Sequence, residues 1–294
     1  MSFFDFILEL LFGGGKTKTT TTTGTVTQTT TTKQCDQKKQ AICIGINKYP
    51  NPSNNLHGCV NDAKEWALLL TEVYGFMPPK VFLDNQATKY NVSNALIDLV
   101  NSSKPGDILA LTNSSHGSSV PDQNGDEEDR RDEAICLYDS FWIDDEIRDI
   151  LSKLDPQVSL TFITDSCYSG TVTREFILAM GDKKIRPRYL PPEDNQLAKD
   201  IVLMQSGQKI FYPQENMKEV LISGCSDKEY SYDANFSIPM GAFSHFAIDV
   251  LRSKPNVTYK EFYALLRTKL PSSQYPQTPQ LEGAETNLNK LVFS

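Results

Sequence analysis

The stretch that most constrains the fold is LTFITDSCYSG at residues 160–170. Its first five residues are apolar or β-branched and predict a buried strand, which ends where Asp165, Ser166 and Cys167 follow. In open α/β sheets, ligands bind at the carboxyl ends of the strands, so a cysteine at this place favours a role in chemistry. Free cysteine is also among the most buried residue types, and simple core packing of Cys167 is an equally open interpretation of this stretch alone.

Strand and helix patterns alternate along the chain from about Cys35 onward. Short apolar runs predict strands at 41–47, 81–84, 107–113, 158–165 and 219–225, with a possible strand at 290–294. Apolar residues at helical spacing predict helices within 57–75, 88–101, 143–154, 241–252 and 258–270. The charged stretch 121–133 and the Pro-rich stretch after residue 175 are predicted loops. This order predicts an α/β fold with a mostly parallel β-sheet and helices on both faces.

Composition narrows the classes of partner. The net charge of −8 argues against nucleic acid, whose phosphates need concentrated Lys and Arg, and suits basic substrates. Six cysteines are scattered without a CxxC pair, which is typical of reduced thiols and predicts a cytoplasmic protein. The sequence lacks an apolar run of 18 or more residues, so no transmembrane segment is expected.

Two segments precede the predicted domain. Residues 1–12 form an apolar amphipathic pattern in which Asp5 and Glu9 share one stripe, and they predict a helix that docks on a partner protein or on the chain itself. A weak membrane contact and no role at all are the alternatives. Residues 13–35 are rich in Gly and Thr and predict a flexible linker, so the folded domain is expected at 36–294.

A histidine gives the cysteine a possible base. The predicted strand at 107–113 runs into SSHG, so His116 should emerge at the same sheet edge as Cys167 if the two strands are neighbours. An imidazole can take the thiol proton and later return it to a leaving amine. His116 precedes Cys167 by about 50 residues, near the spacing found in caspases, although DSCYSG matches the caspase signature only in part.

Several motifs extend this partial match across residues 38–282. They are AICIGINKY, LHGCVNDAKEW, SSHGS, DEEDRRDEAI, DDEI, DSCYSG, RYLPP, LISGC and YPQTPQL. With these motifs the sequence resembles the metacaspase and orthocaspase branch of the caspase-like cysteine peptidases. The resemblance implies a caspase-like fold, a monomer, and a catalytic dyad of His116 and Cys167. It also implies that the backbone amides of Gly117 and Cys167 form the oxyanion hole.

The resemblance also implies a pocket for an arginine or lysine before the cleaved bond. Asp62 and Asp165 match its acidic residues, and Cys59 and Ser114 match further pocket positions. A pair of carboxylates in a cleft suits a guanidinium and repels an aspartate side chain. From the residues alone, the favoured interpretation is that Asp62 caps or decorates a helix and Asp165 orients the loop, since most Asp residues are solvated.

Calcium activation is implied in the same way. Asp132, Asp144 and Asp145 match the ligands of calcium-activated metacaspases, and their hard oxygens suit Ca²⁺. Arg174 stands where calcium-dependent members have an aspartate. Glu175 could replace that aspartate, Arg174 could act as a built-in cation, or the acidic run could be a solvated loop.

The basic loop after the nucleophile is a candidate for self-cleavage. It carries Lys183, Lys184, Arg186 and Arg188, which are residue types that the predicted pocket accepts. Plain solvated surface is the alternative. His57 and His245 lie within helical patterns and are expected at the surface or in packing contacts. The resulting prediction is a cysteine endopeptidase that cleaves after Arg or Lys. The alternative is a catalytically weak caspase-like interaction module, recruited through its N-terminal helix.

Overall fold

The computed structural model describes residues 37–121, 131–168, 186–191, 217–226 and 229–294. The predicted N-terminal helix and linker therefore lie outside the described residues, as do Lys183, Lys184 and Arg174.

A six-stranded sheet forms the centre of the described chain, with β12 (Gln280–Glu282) at one edge and β2 (Lys80–Leu83) at the other. Its strands lie in the order β12, β9, β7, β3, β1, β2, and every neighbouring pair is parallel except β12 with β9. Their bounds are β1 (Lys39–Gly45), β2 (Lys80–Leu83), β3 (Ile108–Ser114), β7 (Ser159–Asp165), β9 (Glu219–Ser223) and β12 (Gln280–Glu282). The predicted mostly parallel sheet is confirmed.

Helices cover both faces of this sheet because successive strand residues point to opposite sides. Cys43 and Ile163 belong to one buried cluster, together with residues of α1, α4 and α5. Ile42 and Phe162 belong to a second cluster, together with residues of α2 and α3. The helix bounds are α1 (Cys59–Glu72), α2 (Lys89–Ser102), α3 (Asp144–Leu151), α4 (Ala242–Ser253), α5 (Tyr259–Leu266) and the short α6 (Glu285–Leu288).

Two small sheets lie outside the sequence prediction. One contains β4 (Gly117–Pro121), β5 (Arg131–Cys136) and β6 (Phe141–Ile143), and the other contains β8 (Arg186–Pro187), β10 (Tyr232–Asn235) and β11 (Pro239–Gly241). The predicted loop at 121–133 was therefore wrong at both ends, because Pro121 ends β4 and residues 131–133 open β5, while residues 122–130 lie outside the described residues. The predicted strand at 290–294 was also wrong: only an isolated bridge joins Leu291 to Thr258, and the edge strand is β12.

The register of β3 and β7 sets the position of the site. The two strands pair in parallel from Ile108 with Ser159 to Ser114 with Asp165. Both therefore end at the same edge of the sheet, and His116 and Cys167 each follow two residues after the paired ends. Five described cysteines are free thiols, as expected. Within the ranges described, no helix is both long and apolar enough to cross a membrane.

Candidate active site

His116 is held by its far ring nitrogen. Nε2 lies 2.8 Å from the backbone oxygen of Asn54, and the residue is only 6% exposed. Because a carbonyl oxygen can only accept, Nε2 carries the proton of the neutral ring and donates it to Asn54. The other nitrogen, Nδ1, is buried and has no hydrogen-bond partner among the described residues. His116 thus keeps a free lone pair on Nδ1.

Tyr49 fixes the backbone and the ring of His116. Its hydroxyl accepts a hydrogen bond from the His116 amide at 3.0 Å and donates to the Cys136 carbonyl at 3.1 Å. The two rings lie 5.2 Å apart between centroids. Tyr49 lies four residues after the end of β1 and bonds to the last residue of β5, so these two segments together orient the histidine.

Burial lowers the pKa of His116 to about 4, and the Asn54 carbonyl opposes this fall. The cost of desolvating an imidazolium is larger than the combined gain from the backbone of Asn54, the charge of Asp233 and the backbone of Arg188. The imidazole is therefore neutral at pH 7 and can accept a proton, as a general base requires.

Cys167 lies fully buried beyond the end of β7 and faces the segment before β10. The Ser231 amide donates a hydrogen bond to Cys167 Sγ at 2.6 Å, and Sγ lies 3.2 Å from the Ser231 carbonyl oxygen. An amide N–H directed at sulfur stabilises a thiolate. A second buried thiol, Cys225, lies within hydrogen-bonding reach of Cys167. This hydrogen bond and burial together raise the pKa of Cys225 well above its ordinary value.

Two amides converge on one carbonyl oxygen beside this cysteine. The amides of Gly117 and Cys167 both donate to the Arg188 oxygen, at 2.8 and 3.2 Å. They are the two amides that the resemblance assigns to the oxyanion hole. A side chain at position 117 would place its Cβ 2.0 Å from the Cys167 oxygen, so only glycine allows this approach.

The Arg188 side chain enters a fully buried acidic pocket, formed by Asp62, Asp165 and Asp233. Arg188 Nη2 lies 2.7 Å from Asp62 and 3.1 Å from Asp233, and Nη1 lies 3.0 Å from Asp165. Burial alone would lower the pKa of Arg188, but the three carboxylates raise it well above its ordinary value. Burial likewise raises the pKa of Asp62, and Arg188 opposes that rise. The pocket and the guanidinium compensate each other's desolvation.

Backbone and hydroxyl donors hold each carboxylate of the acidic pocket. Asp62, in the first turn of α1, accepts from the Gly241 amide at 2.9 Å. Asp165 accepts from the amide and the hydroxyl of Ser244, at 3.0 and 2.7 Å, and from the Ser231 hydroxyl. Asp233 accepts from the amides of His57 and Gly58 at 2.7 and 2.8 Å. These donors fix the carboxylates before any ligand arrives.

The structure brings most of the predicted pocket residues together. Cys59, at the start of α1, is fully buried. Burial raises the pKa of its thiol well above the ordinary value, the charge of Arg188 opposes this rise, and the three carboxylates add to it. Ser114 is buried and pairs with Asp165 in the sheet, and the side-chain hydrogen bonds of Arg188 go to Asp62, Asp165 and Asp233 instead.

Sequence reasoning missed Asp233, Ser231 and Tyr49. A signal for the first two is present in the sequence, because Tyr230, Tyr232 and Ala234 alternate with Ser231 and Asp233. That period of two predicts a strand with one apolar face and one polar face. The apolar members are buried in the core, and the polar members contact Arg188 or Cys167.

The predicted calcium ligands are not gathered into a metal-binding group. Asp132 is buried in β5, whereas Asp144 and Asp145 open α3, where Asp144 pairs with Arg148 at 3.3 Å. Throughout the part of the chain that the structure describes, no three His, Cys, Asp or Glu side chains could hold a metal ion together. Calcium binding by Asp132, Asp144 and Asp145 stays a prediction.

The remaining histidines lie away from the dyad, as expected. His57 is exposed before α1 and contributes only its backbone to the site. His245 on α4 stacks on Phe236 with ring centroids 3.8 Å apart. Of the two described arginines in the basic loop, Arg186 is exposed and donates to the Asn55 carbonyl at 3.1 Å.

A thiol, a neutral imidazole and two convergent amides at one edge of an α/β sheet define a cysteine peptidase of the caspase-like class. Residues 39–175 match the family model of the metacaspase peptidase C14 domain. Metacaspase-1A of Aspergillus niger is 31% identical, over 84% of this chain and 70% of that protein. Metacaspase-1 of Saccharomyces cerevisiae is 30% identical, over 85% and 67%. The chain therefore belongs to the metacaspase family and is a cysteine-type endopeptidase.

Two solved structures have a similar fold. A crystal structure of a Geobacter sulfurreducens protein superposes with a TM-score of 0.70 at 28% identity, covering 87% of this chain and 98% of that one. Caspase-1 from Spodoptera frugiperda superposes with a TM-score of 0.52 at 12% identity, covering 87% and 88%. At this identity, the likeness to caspase-1 shows the fold alone.

Proposed function

We propose that this metacaspase cleaves peptide bonds after arginine, and more slowly after lysine, with Cys167 as nucleophile and His116 as base. The supporting observation is the position of Arg188. Its guanidinium is paired with three buried carboxylates while its carbonyl oxygen accepts from the Gly117 and Cys167 amides. An arginine of a protein substrate that bound in the same way would have its carbonyl carbon next to the Cys167 thiol.

The described groups supply each step of the reaction. His116 Nδ1 takes the proton of the Cys167 thiol, and the sulfur bonds to the carbonyl carbon of the substrate arginine. The carbonyl oxygen becomes an oxyanion that accepts from the Gly117 and Cys167 amides. The C–N bond then breaks as His116 returns the proton to the leaving amine. Water, deprotonated by His116, hydrolyses the thioester and restores the thiol.

Arginine fits this pocket better than lysine does. The carboxylates of Asp62 and Asp165 meet different nitrogens of one guanidinium, Nη2 and Nη1. A lysine ammonium is a single point of charge on a narrower side chain and cannot reach both positions with the same geometry. An aspartate side chain would meet three carboxylates and be repelled. The expected order is arginine, then lysine, with aspartate not accepted.

Self-processing is the second part of the proposal, and the bond between Arg188 and Tyr189 is its site. In the intact chain, Arg188 fills the acidic pocket that an external arginine needs. Arg186, the other described candidate, lies outside that pocket and is exposed. Cleavage after Arg188 would detach the residues that follow it and allow the pocket to exchange its occupant.

Calcium activation remains a proposal that rests on the matching positions of Asp132, Asp144 and Asp145. Carboxylate oxygens are suitable ligands for Ca²⁺, but no step of the reaction above is assigned to the ion. The activity test therefore compares turnover in the presence of calcium with turnover in the presence of a chelator.

The test uses the full chain and reporter peptides that differ only in the residue before the cleaved bond. Arginine peptides should turn over about tenfold faster than lysine peptides, and aspartate peptides should not turn over. Each is measured with calcium and with a chelator. Cys167→Ala and His116→Ala should abolish turnover, whereas Cys43→Ala, which removes a buried thiol of β1, should retain it. Absence of turnover in both media would favour the interaction module, and equal turnover of aspartate peptides would contradict the pocket assignment.

A further inference from the structure

The chain continues from Arg188 across the site, and this continuation shows how a leaving segment can bind. Tyr189 and Leu190 are 8% and 4% exposed, so both side chains are nearly as buried as Arg188 itself. Placing an arginine in the acidic pocket does not by itself require that the next two side chains be buried. Their surroundings therefore carry information about the residues that follow a cleaved arginine.

Backbone pairing continues on both sides of the Arg188 carbonyl. Before that carbonyl, the Arg188 amide donates to the Ser231 oxygen at 2.9 Å, and Pro187 pairs with Tyr232 in an antiparallel ladder. After it, the Leu190 amide donates to the Gly117 oxygen at 2.9 Å, and Tyr189 bridges Gly117 in parallel. Residues 187–190 are thus held extended through the site, as a bound peptide would be.

The ring of Tyr189 lies against Tyr230. The two ring centroids are 6.2 Å apart with an interplanar angle of 50°, and Tyr230 is itself 3% exposed. Tyr232 supports Tyr230 edge-on, with centroids 6.5 Å apart. Tyr230 precedes β10 and Tyr232 opens it. Ser231 and Asp233 alternate with these tyrosines and contact Cys167 and Arg188, respectively. One short segment therefore contacts the nucleophile, the arginine and the residue after it.

Leu190 enters a different part of the core. It belongs to the cluster on the α2 and α3 side of the sheet, whereas Tyr189 belongs to the cluster of α1 and α4. The two leaving-side residues consequently meet distinct apolar surroundings, with Tyr189 beside the Tyr230 ring and Leu190 in the other cluster. Aromatic pairs of this geometry add to the gain from burial alone, so the first of the two should be the more selective.

From this geometry we propose that Tyr230 is a specificity-determining residue, which selects an aromatic side chain directly after the cleaved arginine. The substrates it favours are proteins with an exposed Arg-Tyr or Arg-Phe pair, followed by an aliphatic residue. This inference rests on the proposed cleavage after arginine and adds the preference on the leaving side.

The first test uses internally quenched peptides that share Pro-Arg before the cleaved bond and differ only in the residue after it. The wild-type chain should give a kcat/KM about tenfold higher with Tyr or Phe than with Ala, and lower still with Asp. Tyr230→Ala should reduce the Tyr-to-Ala ratio to about one, while Tyr230→Phe, which keeps the ring, should restore it. Tyr263→Ala, on α5, is the matched control and should keep the wild-type ratio.

A second test reads the same preference from the chain's own bond and does not depend on the folding of Tyr230 variants. Self-cleavage after Arg188 should proceed in Tyr189→Phe at close to the wild-type rate and about tenfold more slowly in Tyr189→Ala. Equal rates with Ala and Tyr, in both tests, would overturn the inference while leaving arginine cleavage intact. Cleavage that does not depend on the arginine would overturn both this inference and the proposed function.

Discussion

Arg188 and Asp62 form an ion pair with Nη2 2.7 Å from Oδ2, and both side chains are inaccessible to solvent. Asp165 and Asp233 complete the surroundings of the same guanidinium. A single arginine thus neutralises part of the charge of three buried carboxylates. The same residue links the stability of the intact chain to the occupancy of its acidic pocket.

Removing Arg188 should therefore destabilise the chain more than an ordinary surface change would. We expect Arg188→Gln to lower the free energy of unfolding by about 3–5 kcal/mol, because three buried carboxylates lose their counter-charge. Urea denaturation of variants in a Cys167→Ala background measures this without interference from cleavage. Arg186→Gln, two residues earlier and exposed, should change the value by less than about 1 kcal/mol. Similar small losses in both variants would contradict the assigned pairing.

Asp233 should contribute to arginine binding as directly as Asp62 and Asp165 do. Asp233→Asn removes one charge-assisted hydrogen bond to the guanidinium, which is worth about 1.5–3 kcal/mol. We expect kcat/KM for arginine peptides to fall about 10- to 100-fold, with a smaller fall for lysine peptides. Asp249→Asn, at an exposed position on α4, is the control and should leave both values unchanged. Unchanged arginine kinetics in Asp233→Asn would exclude Asp233 from the pocket.

Gln277 should position the segment that contacts the nucleophile. Its side-chain amide donates to the Gly224 carbonyl at 2.8 Å and to the Ser231 hydroxyl at 3.1 Å, and its oxygen accepts from the Tyr232 amide at 3.2 Å. Gln277→Glu keeps the shape and the acceptor but loses both donors. We expect kcat to fall at least about tenfold with little change in KM, because the Ser231 amide is no longer held firmly against Cys167 Sγ.

A neighbouring glutamine provides the control for that experiment. Gln280 lies three residues further along, and its side-chain amide donates to the Thr278 carbonyl at 2.8 Å. Gln280→Glu should therefore leave kcat and KM close to wild type. If both variants lose the same activity, a general disturbance of the C-terminal segment explains the effect and the positioning role of Gln277 is wrong.

The His116 pKa makes stability depend on pH in a defined window. Burial lowers the pKa of His116 to about 4 from an unfolded value of 6.5, so between these values the unfolded chain binds a proton that the native chain does not. Above pH 6.5 the His116 imidazole is neutral in both the native and the unfolded chain, so its titration does not reduce the free energy of unfolding. As the pH falls from 6.5 to 4, the free energy of unfolding decreases by up to about 3 kcal/mol, and below pH 4 this decrease is constant.

The comparison that isolates this effect is between Cys167→Ala and the double variant with His116→Gln. We expect the difference in their unfolding free energies to change by about 3 kcal/mol between pH 7 and pH 4, because only the first protein contains the buried imidazole. Urea denaturation at several pH values provides the curves. Parallel curves across this range would show that His116 titrates normally in the native state.

The sequence predicted the central sheet because each of its five parallel strands except β2 is a buried apolar run, and such runs are distinctive. It also led to His116 and Cys167, since both follow the ends of strands that became neighbours. β8 could not be predicted, because two residues, Arg186 and Pro187, have no periodicity to detect. The contact between Arg188 and Asp62 joins residues that are 126 positions apart, and no local pattern encodes such a pairing.

Asp233 and Gln277 are site residues that the sequence analysis does not predict, for two different reasons. Asp233 lies in a period-two pattern of only a few residues, which is a weaker signal than the longer apolar runs. Gln277 lies in a Pro-rich segment and gains its role only when that segment packs against β10 and the end of β9. The local pattern could therefore predict the position of Asp233, whereas the role of Gln277 depends on tertiary structure.

The most direct test of the central claim is intact-mass analysis of the purified full chain after incubation, with and without calcium. If Arg188 occupies the pocket as a substrate does, the wild-type chain should yield two fragments that meet at the Arg188–Tyr189 bond. Cys167→Ala and Arg188→Gln should not yield that pair, and Arg186→Gln should yield it as wild type does. Fragments that end elsewhere, or an intact wild-type mass under conditions in which arginine peptides are cleaved, would contradict the account.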